Sequence, residues 1–256
     1  MAEVVGVTAY DVLAEVYEWL ISDGKLTPDE FVASFGDVVR LLPPNACVLD
    51  SSCGTGQLAV GLAGLGMRVV ATDASAAMVR RTTRLAEAHG ASVRTAQADW
   101  RELTNQFNDA TFDMVFCVGN SLHHAEGVEG RSAALASMSR ILRPGGRLVL
   151  TSRNWELVRA GGSRLDIRDQ LVRRNGRDAL VIYRWEIPPQ WEEHHIEIAV
   201  AEVAADGSVK THSELLSCWP YRYDELRHEL HSVELRIETS TFDPEAEGYM
   251  VVATKE

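Results

Sequence analysis

Short apolar runs alternate with longer amphipathic stretches through the middle of the chain, and the two periods predict strands and helices in turn. CVLD (Cys47 to Asp50) reads as a short buried strand entering a glycine-rich turn, and a helix follows from Gln57. The pattern then repeats. MRVVATD predicts a strand, Ser75 to His89 a helix capped by Ser75, SVRTAQAD and FDMVFCVGN two more strands, Gly130 to Leu142 a helix, and GGRLVLTSRN a further strand. Such alternation is the signature of a parallel sheet covered on both faces, here over residues 43–155. Before it, Leu13, Tyr17 and Leu20 recur at helical spacing. Thr27-Pro28-Asp29-Glu30 supplies an N-cap, a proline at the first helical position and a capping-box glutamate. Two helices are therefore expected in residues 1–42, as a lid, with Pro43-Pro44 ending the second. After the core the period shortens to two. RDALVIYRWEI, EHHIEIAVAEVA and SVKTHSELLSCW predict antiparallel strands, with Asp206-Gly207 as a two-residue hairpin turn. A helix at YDELRHEL precedes SVELRIETS and GYMVVATKE, which can return to the edge of the main sheet. Residues 156–256 are thus an antiparallel extension plus closing strands, and residues 1–256 one domain of α/β class.

Composition narrows the function classes. The 256 residues carry 37 acidic against 25 basic side chains, a net charge of −12, with no basic block to anchor phosphates or anionic lipid, so nucleic-acid and membrane partners are not expected. The first twenty residues carry acidic side chains inside their apolar pattern and do not read as a signal peptide, and no apolar run has the length of a bilayer span. Cys47, Cys53, Cys117 and Cys218 are spread without a CxxC pair, which argues against a disulfide framework or a metal site and fits a reducing cytoplasm.

The chemistry concentrates at the ends of the predicted strands. VLDSSCGTG places Asp50 before a turn whose Gly54 and Gly56 let backbone approach a ligand closely. Asp73 ends the next strand, where it can accept hydrogen bonds from both hydroxyls of a ribose. Gly54-Thr55-Gly56 is followed by Gln57, Leu58 and Ala59, so the GxGxxG fingerprint that cradles a pyrophosphate is absent, and an adenosine ligand without phosphates fits better. Gln97-Ala98-Asp99-Trp100 adds an acceptor and a flat aromatic for an adenine, and FDMVFCVGNSLHH ends in polar residues where ligands lie in open α/β sheets. A glycine turn serving only packing, with Asp73 capping a helix, is the plain alternative.

The ordered set VLDSSCGTG, ATDASAAM, QADW, FDMVFCVGNS, ILRPGG, SRNW and TFDPEAEGYMVVATK resembles the class I S-adenosylmethionine-dependent methyltransferases, and within them the glycine/sarcosine N-methyltransferase-like group, over nearly the whole chain. The resemblance implies a Rossmann-like class I methyltransferase sheet and S-adenosylmethionine as cofactor. It puts Asp50 and Gly54 by the methionine part of the cofactor, Asp73 and Met78 by ribose and adenine, and Asp99 and Trp100 at the adenine edge, with Gly56 and Ala74 also in the cofactor-binding set. Cys117, at the end of the fourth strand, joins this set. Asn120 and Arg153 match positions that help hold an acceptor carboxylate in glycine-methylating relatives, and Tyr10 and Tyr17 match a covering N-terminal segment. The chain departs from the family pattern at GNSLHHA and at Trp219 in SCWPYRY, both on the acceptor side.

His123 and His124 stand at a strand end beside the expected cofactor. A histidine of near-neutral pKa there is a candidate base for a hydroxyl acceptor; local packing is the plain alternative. His194 and His195 alternate across a strand, and neither reads as a metal ligand. His89, His212, His228 and His231 are expected on the surface. Trp155, Trp185, Trp191 and Trp219, with Tyr183, Tyr221 and Tyr223, fall in the part of the chain expected to cover the site, although each singly is more often core. The expected reaction is therefore methylation of a small polar acceptor, with a hydroxyl of a sugar-like molecule preferred on the strength of the histidines and the tryptophan-rich cover. N-methylation of glycine, sarcosine or a related amino compound is the alternative, supported by Asn120 and Arg153. A non-catalytic, cofactor-binding regulatory protein is a third reading, and a homo-oligomer stays open.

Overall fold

Thr27 opens the first α-helix as its sequence requires. Its hydroxyl accepts the Glu30 amide at 3.3 Å, and the Glu30 carboxylate accepts the Thr27 amide at 3.1 Å. The computed structural model describes residues 10–168, 172–174 and 176–256. Helix α1 (Pro28–Ala33) follows 3₁₀ helices at Leu13–Trp19 and Asp23–Lys25 and precedes α2 (Gly36–Val39). The expected pair of lid helices is thus four short segments. The break at Phe35 has a tertiary cause: its backbone leaves helical geometry (φ −111°, ψ 15°) and its ring meets Phe116 edge-on at 5.7 Å.

The core alternates β1 (Cys47–Asp50), α3 (Gln57–Gly64), β2 (Arg68–Asp73), α4 (Ala76–Ala88), β3 (Val93–Gln97), α5 (Leu103–Gln106), β4 (Phe112–Cys117), α6 (Gly127–Ile141) and β5 (Leu142–Arg153). Helix α7 (Trp155–Ala160) leads into β6 (Arg164–Ile167), β7 (Val172–Arg174), β8 (Arg177–Glu186), β9 (His194–Val203) and β10 (Val209–Cys218). The chain ends with α8 (Tyr223–Ser232), β11 (Leu235–Ser240) and β12 (Gly248–Lys255). The main sheet runs β11-β12-β5-β4-β1-β2-β3, parallel from β5 to β3, with β12 antiparallel to both neighbours. A second, antiparallel sheet runs β10-β9-β8-β6, with β7 also on β8. The β9–β10 turn is longer than two residues. Ala204 donates to the Ser208 carbonyl at 2.9 Å, leaving three residues in the loop with Gly207 left-handed at φ +81°.

Apolar side chains cover both faces of the main sheet: Leu135, Met138, Leu148 and Val251 on one, Leu58, Leu62, Met114 and Phe116 on the other. A third cluster, with Leu13, Trp19, Trp155, Val181 and Val200, ties the N-terminal segment to the second sheet. Gly61 lets α1 lie directly on α3, because a Cβ there would stand 2.5 Å from the Pro28 carbonyl oxygen. Arg131 on α6 and Glu229 on α8 form a bidentate pair, both contacts at 2.6 Å, and the guanidinium also covers the Tyr221 ring at 4.7 Å. Among the described residues no helix is long and apolar enough to cross a membrane.

Candidate functional site

Strand order reverses where β1 lies between β2 and β4, and two cavities that share Tyr10, Ser52 and Ser121 in their walls open at this switch point. The larger, about 500 Å³, has Asp50, Gly54, Tyr17, Asn120 and Arg153 in its lining. The smaller, about 250 Å³, has Asp73, Ala74, Asp99, Trp100, His124 and Trp219.

Asp73 organises the glycine turn. Its two carboxylate oxygens accept the amides of Gly54 and Ser75, each at 2.9 Å, so the acid ending β2 fixes both the β1 turn and the start of α4. Asp50 is buried, and its Oδ1 has no hydrogen-bond partner. Burial, and then the nearby Asp73, push the Asp50 pKa up to about 7; burial raises Asp73 to about 6 against the opposing pull of the two amides. Neither carboxylate forms an ion pair with an arginine or lysine among the described residues. The Trp100 indole donates to the Ser51 carbonyl at 2.6 Å, which holds its ring as a wall of the smaller cavity. Asp99 is gripped by Arg101 at 2.6 and 2.9 Å, and those hydrogen bonds hold its pKa below the usual range.

On the other side of β1, Thr151 Oγ1 accepts the amides of Gly119 (2.9 Å) and Asn120 (3.3 Å), fixing two successive left-handed residues, φ +79° and +63°. Arg153, at the end of β5, holds its guanidinium 5.5 Å over the Trp185 ring. Among the described residues no carboxylate pairs with it. Tyr10 and Tyr17 meet edge-on at 5.8 Å above the cavities, and Tyr10 is itself left-handed at φ +70°. The Glu214 carboxylate on β10 holds that strained segment by accepting the amides of Tyr10, Val12 and Leu13.

The two histidines differ from the expectation of a near-neutral base. His124 Nδ1 lies 2.9 Å from the Ser217 carbonyl, which can only accept, so this nitrogen carries the proton and Nε2 accepts the Tyr10 hydroxyl at 3.0 Å. Burial, with the positive field of Arg153, holds its pKa down at about 4. His123 lines neither cavity; it is 3% exposed, lies edge-on to Trp155 at 4.9 Å, and burial and His124 push its pKa well below the ordinary value. Neither ring is poised to take a proton at neutral pH. His123, His124 and Cys218 bring donor atoms within 4.8 Å of one another. Both nitrogens of His124 are already engaged and the Arg153 charge opposes a cation, so the donor set does not suit a metal.

Three expected cofactor contacts lie behind the lining. Gly56 (φ +96°) serves packing, since a Cβ would stand 2.9 Å from Thr82 on α4. Met78 is buried within α4, its amide donating to Ser75 Oγ at 3.2 Å, and Cys117 is a core residue whose thiol burial pushes up to about 12. Of the expected aromatic cover, Tyr183 and Trp219 line the two cavities. Trp155 and Tyr221 are core, Tyr223 stacks on Phe242 at 4.0 Å, and Trp191 lies between Arg159 and Arg222. His194 is buried against Arg159, with His195 across the strand near Glu186; His212, expected on the surface, is only 12% exposed beside Glu202. Ser52, Thr55, Ser121 and Thr151 also line the cavities. The seryl pair before Gly54 was their one sequence signal, because small hydroxyl residues at strand ends otherwise look like turn residues.

The donor set fits S-adenosylmethionine. An orphaned buried carboxylate oxygen on Asp50 suits a ligand that brings positive charge, and Asp73, Ala74 and Trp100 suit its ribose and adenine. A model of the methyltransferase domain matches residues 48–146. The glycine/sarcosine N-methyltransferase of Parasynechococcus marenigrum (strain WH8102) is 31% identical over 228 residues, 85% of this chain and 75% of that protein. Among solved structures, an S-adenosylmethionine-dependent methyltransferase from Clostridium acetobutylicum ATCC 824 superposes with a TM-score of 0.76 at 17% identity, covering 97% of this chain and 99% of that one. An S-adenosylmethionine-bound amino pentose methyltransferase from Micromonospora echinaspora superposes over all of both chains with a TM-score of 0.74 at 21% identity. The relative's identity over most of the chain and the sheet order agree, and the chain belongs to the class I S-adenosylmethionine-dependent methyltransferases, in the glycine/sarcosine N-methyltransferase-like group.

Proposed function

We propose that the protein methylates the amino nitrogen of a small acceptor bearing a carboxylate. The observation that carries this reading is the guanidinium of Arg153, which lines the larger cavity without a carboxylate partner among the described residues. An acceptor carboxylate supplies that partner in a bidentate pair. The relatives named glycine/sarcosine N-methyltransferase support the same reading, and it displaces the sugar hydroxyl preferred from sequence. A hydroxyl must shed its proton as it attacks, and the low pKa of His124 leaves it a poor base.

When bound, S-adenosylmethionine supplies an electrophilic methyl group. The protein's part is orientation. Arg153 and Asn120 hold the acceptor carboxylate, while Tyr10 and Tyr17 cover the cavity and exclude water. The Tyr10 hydroxyl has given its hydrogen to His124, so its oxygen can accept an N–H of the acceptor and aim the nitrogen lone pair. Burial beside the Arg153 charge favours the neutral amine over the ammonium, which is the form that attacks.

Labelled methyl transfer to glycine and sarcosine, set beside neutral sugars and alcohols, tests the reading. Arg153→Lys should raise KM for an amino acid about 10- to 100-fold and leave a neutral acceptor nearly unaffected. Equal KM in both enzymes rejects the carboxylate clamp, and no transfer to any acceptor leaves a regulatory cofactor binder.

A further inference from the structure

The larger cavity has two walls of different chemistry. Arg153, Asn120, Tyr10 and Tyr17 are polar lining residues, and Phe31, Phe35, Val118 and Met250 are apolar ones, with Lys25 beside Phe31 and Thr241 beside Met250. Val118 follows β4 and Met250 lies on β12, which places this apolar wall on the β5 side of β1, away from β2 and Asp73. It therefore lies in the cavity of Arg153 and Asn120, apart from Asp73, Ala74 and Trp100 in the smaller one. The wall is firmly built. Phe35 packs edge-on against Phe116 at 5.7 Å, Phe31 lies over Phe35 at 6.0 Å, and the Met250 backbone is pinned at both ends, its amide donating to Thr241 Oγ1 at 2.8 Å and its carbonyl accepting the Thr241 amide at 2.9 Å.

Glycine and sarcosine have no side chain to reach that surface. If the amine points at the methyl group and the carboxylate at Arg153, the remaining substituent on the α-carbon is directed elsewhere in the cavity, where Phe31, Phe35, Val118 and Met250 offer an apolar surface that can receive it. Resting on the carboxylate-acceptor reading, we propose that the preferred acceptor is an α-amino acid with a branched or aromatic apolar side chain, seated on Phe31, Phe35, Val118 and Met250. None of these four side chains can hydrogen-bond, so a serine-like acceptor gains no partner from them; Lys25, 5.9 Å over Phe31, is the neighbouring cation that an acidic side chain would meet. One methylene in such a pocket discriminates by about 10- to 200-fold, so the preference is measurable.

The test compares kcat/KM for glycine, sarcosine, serine, leucine and phenylalanine on the wild-type enzyme, then repeats the series on Met250→Trp, with thermal melting to check folding. Leucine or phenylalanine should exceed glycine by at least about tenfold. The tryptophan should collapse that ratio by filling the wall. Glycine or sarcosine turned over as well as the larger amino acids overturns the proposal while leaving the carboxylate-acceptor reading intact. Transfer to neutral amines or alcohols with none to any amino acid overturns both. An unchanged ratio in a folded Met250→Trp enzyme overturns the placement of the side chain.

Discussion

Burial holds the Asp50 carboxyl at about 7 and that of Asp73 at about 6, well above the value of about 3.9 for an exposed aspartate. Between roughly pH 4 and 7 the folded protein without cofactor therefore binds more protons than the unfolded chain, and its stability falls as pH rises through that window. A cationic ligand acts in the opposite sense, because it favours the ionised forms. Affinity for S-adenosylmethionine should rise from pH 5.5 to 8 by up to about tenfold per unit for each proton displaced, with proton release visible by calorimetry in buffers of different ionisation enthalpy. Asp50→Asn should weaken binding and flatten the profile. A constant Kd across the range would remove Asp50 from the cofactor site. The places of Asp50, Asp73 and Arg153 in the cavity walls were legible in the sequence, because a charged residue closing an apolar strand stands at the end of the sheet. Gly56, Met78 and Cys117 were not, since spacing shows that a small or apolar residue is wanted without showing what faces it. For Gly56 the neighbour is Thr82, on a different helix. The histidines were misjudged for a related reason: position at a strand end was visible, but the burial that lowers their pKa was not.

The strands and the longer helices of the core are legible in the sequence, because each strand is short, apolar and bounded by turn residues, although of helices α3 to α6 only α4 carries a side-chain cap. Ser75 and the Thr27–Glu30 box both work as the sequence suggests. Where the reading failed, the cause lies between elements. The break after α1 is set by the contact of Phe35 with Phe116, and the hairpin after β9 by how the ladder closes at Ala204 and Ser208. The packing of α1 on α3 also depends on such a relation. Gly61→Ala places a methyl group against the Pro28 carbonyl and Val32, and should cost about 1–3 kcal/mol by overpacking. Thermal melting should register a loss of roughly 2–4 °C per kcal/mol. Because α1 carries Phe31, the variant should also loosen the apolar wall of the larger cavity and weaken acceptor binding more than cofactor binding. A normal melting temperature would show that α1 moves aside at no cost.

At the scale of the whole molecule, the site is closed by parts that are distant in sequence. Glu214, on the second sheet, holds the Tyr10–Leu13 segment over the cavities through three backbone amides. Glu214→Gln replaces one accepting oxygen with a donor. It should lower kcat/KM for the acceptor by about tenfold and speed hydrogen exchange at the amides of Val12 and Leu13, with the global melting temperature little changed. Unaltered exchange would show that the segment is held elsewhere. The second sheet itself enters and leaves the core at one place. β5 ends at Arg153, the chain returns at Trp219, whose amide donates to the His123 carbonyl at 2.7 Å, and the Tyr221 hydroxyl then donates to Ser152 Oγ at 3.0 Å. Entry and exit are thus stitched together within the core, as in an inserted module whose two ends occupy neighbouring points on its host. Such an arrangement leaves the register of the main sheet independent of the length of the segment between these seams, which can change as a unit while still bringing Tyr183 and Ile198 to the larger cavity.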